Sequence, residues 1–171
     1  MPDPHPLAFL TIPADVLIAL DYRPWHFALQ PYHYLVRLAH VLSMAIFFGG
    51  IVLLDLRLTG LYPNVRLRPL AEFLLPWLYG TFALAFITGL ALFFYDPVHV
   101  GSHAYFSLKL IFIVLGLINA VMFHRRGLRL ALAAEGTGQA RGAGVISLIF
   151  WGGVVVCACL NVEAVPKILL R

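Results

Sequence analysis

Four long apolar stretches divide this chain, at roughly 34 to 56, 73 to 95, 104 to 123 and 143 to 165. Each supplies the ~20 mainly apolar residues that a helix needs to cross a bilayer. The second carries no charge from Phe73 to Tyr95. Helical periodicity organises the residues within them. His33, Arg37, His40, Met44, Phe47 and Ile51 follow spacings of three, four and seven, and so share one face of the first stretch. Lys109, Gly116 and Ala120 share a face of the third, and Gly153, Cys157 and Asn161 share a face of the fourth. Ahead of them, Pro2, Pro4, Pro6, Pro13, Pro24 and Pro31 break residues 1–32 too often for another span. DVLIAL, beginning at Asp15, suits a short interfacial helix, with Tyr22 and Trp25 as aromatic anchors. The pattern predicts an all-α fold: an integral membrane four-helix up-down bundle over residues 33–171, preceded by an outer-face interfacial segment over residues 1–32.

Composition agrees. With 61% hydrophobic and 12% charged residues and a mean hydropathy of +0.89, too little polar surface remains to wrap a soluble globule. The formal charge of +4 comes mostly from the connections, so it points to topology and membrane lipids and not to nucleic acid. Arg57, Arg66 and Arg68 crowd the first connection, and Arg125, Arg126, Arg129 and Arg141 the third. The positive-inside rule puts both in the cytoplasm and both termini outside a bacterial-type inner membrane. The N-terminus lacks a basic leader, so the first span is expected to target the chain. The short second connection, with Asp96, His99 and His103, predicts that the second and third helices are antiparallel neighbours. Cys157 and Cys159 are two apart on a helix, which argues against a disulfide between them.

Depth brings the candidate chemistry together. Counted at about 1.5 Å per residue from the outer ends, His40 lies roughly 9 Å in and Lys109 roughly 8 Å in. Thr88, Gly89, Cys157 and Cys159 fall at a similar level. Ionisable groups in hydrocarbon are expensive, which makes His40 and Lys109 functional candidates. His124 sits at the inner end of the third helix, roughly 20 Å deeper than His40, and reads as an interfacial residue. His33, His99 and His103 lie at or above the outer face. Asp55 and Arg57, at the inner end of the first helix, read as a helix terminus or a loop salt bridge.

HVLSMAIFFGGIVLLDLRL resembles the first-helix pattern of the copper-resistance D family and related small membrane proteins. Phe106, Lys109, Leu110 and Asn119 in FSLKLIFIVLGLINAVMF resemble that family's Lys-Leu helix with a later Asn. The His40 and Lys109 positions are also similar to those of the small membrane-bound protoporphyrinogen oxidases, a resemblance that implies haem. Taken together, the resemblance covers about helices one to three and carries over at His40, Gly50, Lys109 and Asn119. The fourth helix, SLIFWGGVVVCACLNVEAV, has no counterpart in it.

Three readings follow. In the first, the chain is a b-type haem protein that passes electrons between a quinone or protein partner and an outer-face acceptor. His40 supplies one axial nitrogen, His103 or His33 the other, and Lys109 or Arg37 pairs with the propionates. In the second, His40, Met44 and Cys157 form a soft copper site. In the third, the chain is a cofactor-free accessory subunit of a larger membrane complex. The sequence has no phosphate loop, no paired catalytic carboxylates and no zinc-type Cys/His spacing.

Overall fold

The structure, a computed structural model, describes residues 10–161; the first nine residues of the predicted interfacial segment, and residues 162–165 of the predicted fourth span, lie outside the described residues. Among the described residues every regular element is helical. Two short helices, α1 (Ala14–Leu20) and α2 (Arg23–Leu29), come first. A 3-10 turn at Gln30–Tyr32 then leads directly into α3 (His33–Leu58). Pro31 is absorbed in this turn, where its missing N–H costs little, so a nearly continuous helical path runs from Arg23 to Leu58.

The remaining long helices are α4 (Leu67–Tyr95), α6 (Ala104–Arg126) and α8 (Gly138–Leu160). Short α5 (Pro97–Gly101) and α7 (Leu128–Ala133) lie in the connections. Hydrogen bonds, and not changes of hydropathy, set where several of these helices begin. Thr137 accepts from Ala140 N at 3.1 Å and starts α8 ahead of the apolar run. Asp96 accepts from His99 N and starts α5. The Glu135 carboxylate reaches Leu67 N at 2.7 Å, which lets α4 begin six residues before its uncharged run. The path Arg23–Leu58 and the helices α4, α6 and α8 are long and apolar enough to cross a membrane.

α3 packs on α4, α6 packs on α8, and the two pairs join where α3 meets α8. Partners along each seam run in opposite sequence order: Gly50 faces Leu78 while His40 faces Ala85, and Gly116 faces Trp151 while Asn119 reaches Ala143. The core centres on Phe47, whose ring lies 4.7 Å from that of Trp151 and 5.4 Å from that of Phe82.

The short link makes α4 and α6 neighbours, but they do not pack along their length. Their rings touch at the two ends, Phe93 on Phe106 at 5.3 Å and Tyr79 Oη to His124 Nδ1 at 3.2 Å, but their backbones stay apart between. A short link fixes where two helices start, whereas side-chain volume fixes how closely they lie. Large rings prop this pair open, whereas Gly116, Gly144 and Gly153 let α8 approach α6 and α3.

At the Arg-rich end a clasp ties two connections to the last turn of α3. Buried Arg57 donates to Glu135 Oε2 at 3.2 Å and to the Val65 carbonyl. At the opposite end, Leu17 of α1 is buried against Gly101 of α5, and Trp25 and His26 of α2 bond to the Ala91 and Tyr95 carbonyls of α4.

Candidate functional site: a polar layer around His40

α3 meets α4 closely at His40, because Gly89 leaves room for the ring; a Cβ there would stand 3.0 Å from His40 Cε1. His40 Nδ1 lies 2.9 Å from the Ala85 carbonyl and 3.1 Å from Thr88 Oγ1. A carbonyl only accepts, so Nδ1 carries the proton and Nε2 keeps its lone pair. Thr88 donates its own proton to Leu84 O at 2.6 Å, which leaves its oxygen free to accept from His40. Ser43 donates to the His40 carbonyl at 2.9 Å. A backbone bond at Nδ1 with Nε2 unbonded is how proteins orient an imidazole toward a ligand.

Lys109 enters the same neighbourhood from α6. Its Nζ sits 4.9 Å from the centroid of the Phe106 ring, a contact that partly offsets the cost of burying an ammonium. Its charge acts on His40 and on Cys157 of α8. No carboxylate among the described residues pairs with it. The structure thus brings His40, Thr88 and Gly89 into contact, with Lys109 of α6 and Cys157 of α8 within electrostatic reach. Cys157 is buried and Cys159 exposed.

The other sequence candidates lie elsewhere. Arg37, one turn before His40, is exposed. Met44, one turn after, packs against the aromatic core. His33 stacks on Tyr95 at 5.2 Å and bonds through Nδ1 to Gln30 O at 3.0 Å. It stands two turns, ~10 Å, from His40 along α3. His103, the N-cap of α6, bonds through Nδ1 to His99 O at 2.8 Å, ~9 Å above Lys109. Neither histidine faces His40 across a shared plane, so the layer holds one imidazole. Among the described residues no group of three His, Cys, Asp or Glu side chains is arranged to hold a metal ion.

A second region was missed by the sequence reading. A cavity of about 450 Å³ opens between α4 and α6, on the Arg57 side of the Phe47–Trp151 core. Its walls are apolar and aromatic, with Phe47, Tyr79, Phe82 and Trp151 among them. Asp55 lines it and is only 3% exposed. Ser147 supplies a hydroxyl to the carboxylate, while Asp55 Oδ2 has no partner. Trp151 Nε1 on the same lining is likewise unpaired. The available signal was an acid in the last turn of one span at the depth of Ser147 and Asn119 in two others. Arg57, in contrast, makes the salt bridge its position suggested.

No protein-family model matches the chain, and neither the curated proteins nor the solved structures searched contain a match.

Proposed function

We propose that this chain is a multi-pass membrane protein whose four long helices cross a bacterial-type inner membrane as an up-and-down bundle, termini outward, and that it holds haem b in the outer layer through His40. The outward faces support insertion: Phe73, Phe86, Ile87, Ile149 and Val156 are more than half exposed, a distribution suited to lipid. The observation that carries the haem reading is the His40 ring, proton fixed at Nδ1 and lone pair free at Nε2.

The donor set fits the group in part. Arg37 one turn outward and Lys109 across the layer are cations without carboxylate partners among the described residues, suited to two propionates. With His33 and His103 held away from His40, this chain offers a single axial nitrogen, which replaces the two-histidine expectation. When bound, haem would supply one-electron chemistry for exchange with a quinone or protein partner. The residues of this chain bind and orient: Ala85 and Thr88 hold the imidazole tautomer, Gly89 sets its position, and Lys109 balances anionic charge. The copper alternative draws on His40, Met44 and Cys157, but the Met44 side chain packs into the core and the nearby Lys109 ammonium disfavours a second cation.

The test is an absorption spectrum of the purified protein reconstituted with haem, oxidised, reduced, and reduced under carbon monoxide. With His40 the one imidazole of the layer that would hold the group, carbon monoxide should shift the reduced Soret band, and His40→Ala should lose the bound chromophore. A colourless protein after reconstitution overturns the reading. A carbon-monoxide-insensitive spectrum refutes the single-ligand form.

A further inference from the structure

We infer that the cavity between α4 and α6 binds a lipophilic organic amine in its protonated form, with Asp55 as its counter-ion. Three observations lead there. The first is the carboxylate: Asp55 is almost fully buried, Ser147 serves it, and Oδ2 is left without a donor at the lining of the cavity. A buried carboxylate oxygen is costly to leave unpaired, and the only nearby side-chain cation of α3, Arg57, is engaged with Glu135 and the Val65 carbonyl. An N–H⁺ group within the cavity supplies both a donor and the opposite charge.

The second is the lining. Phe47, Tyr79, Phe82 and Trp151 surround the space, and aromatic faces attract ammonium groups while their apolar surface takes up the carbon skeleton. About 450 Å³ lies within the ordinary size range for small-molecule sites. Trp151 adds an unpaired Nε1–H to the same wall. The two further cationic candidates on the lining, His124 and Arg125, are exposed, where solvent screens their repulsion. The third is access. α4 and α6 touch through Phe93–Phe106 and Tyr79–His124 but stay apart between, so the way in is sideways. On the membrane reading above, that is from the hydrocarbon, where lipophilic amines concentrate.

The experiment uses the full chain in lipid nanodiscs, titrated with dibucaine, a lipophilic tertiary amine, and followed by tryptophan fluorescence; empty nanodiscs give the partitioning baseline. Saturable quenching above that baseline is expected. Asp55→Asn, which keeps the shape, should weaken binding by about tenfold or more, the usual loss for a charge-assisted hydrogen bond. Ala120→Phe, which fills the cavity from α6 and leaves Asp55 in place, should abolish it. A neutral analogue with carbon in place of the amine nitrogen should not saturate. Quenching no greater than partitioning, or equal binding by wild type and Asp55→Asn, overturns the proposal; equal binding of amine and neutral analogue does so too, by reducing the cavity to an apolar void. The haem spectrum is independent of these outcomes, because His40 and Asp55 lie four helical turns apart on α3.

Discussion

Replacing Glu135 with alanine removes the acid of the Arg57 clasp, and its cost follows from the geometry. Arg57 is buried, and its Nη2 lies 3.2 Å from Glu135 Oε2, while the Glu135 side chain is 46% exposed. Breaking a buried pair by deleting one partner costs about 3–5 kcal/mol. Here the remaining guanidinium keeps the Val65 and Glu135 carbonyls, and partial solvation lowers the loss to about 2 kcal/mol. The carboxylate also caps α4 through Leu67 N at 2.7 Å, a contact worth about 1 kcal/mol. The sum is about 3 kcal/mol, or a fall in Tm of roughly 6–12 °C for a chain of this size. Glu135→Gln retains an acceptor for both donors and should lose only about 1 kcal/mol. Arg57→Met combined with Glu135→Ala should cost less than the two single changes summed, because no orphaned charge remains. Thermal unfolding of the wild type and the four variants in one mild detergent measures the series. Equal losses for Glu135→Ala and Glu135→Gln, or a loss below about 0.5 kcal/mol for Glu135→Ala, would refute the clasp.

Other changes test other contacts. Gly89→Leu drives a side chain into the His40 ring, 3.0 Å from the Cβ position; it should release Nδ1 from Ala85, cost about 1 kcal/mol, and change the histidine ¹⁵N shifts from those of a fixed tautomer. Gly101→Ala sets a methyl 2.4 Å from Leu17 Cδ2 and should loosen α1 by about 1–3 kcal/mol, seen as faster amide exchange over Ala14–Leu20 with α3 unchanged. Asn119→Leu removes the 3.0 Å bond to the Ala143 carbonyl; helix-to-helix bonds of this kind contribute roughly 0.6 kcal/mol, so unfolding in detergent should shift by that small amount and no more.

Much of the architecture is written in hydropathy. The centres of all four long helices are legible because a run of some twenty apolar residues has few other uses, and the depth count brought His40, Thr88, Gly89, Lys109 and Cys157 to one level because rise per residue is fixed. Helix ends were less legible. α4 starts at Leu67 because Glu135, 68 positions away, accepts from its backbone, and no local pattern encodes so distant a cap. Distances across the bundle were also hidden. His33 and His103 lie toward the same end of the bundle as His40 and Lys109, yet each ring is held by a nearby carbonyl and Tyr95 takes one face of His33. The cavity is not legible in one dimension, where its polar group, Asp55, looks like a helix-end charge; only the separation of α4 from α6 turns it into the lining of a space.

α3 packs on both α4 and α8, and it leaves the ribosome long before α8 does. Until translation reaches Ser147, Asp55 lacks the hydroxyl that serves it, and until Gly144 arrives the Asp55 carbonyl, Leu58 and Thr59 lack the α8 backbone that seats against them. On the membrane reading, nascent intermediates therefore carry an acid without its α8 partner, a recognisable mark of incompleteness for membrane quality control. A stop codon placed between α6 and α8 should yield rapidly cleared polypeptide, and Asp55→Leu should lengthen the lifetime of that fragment.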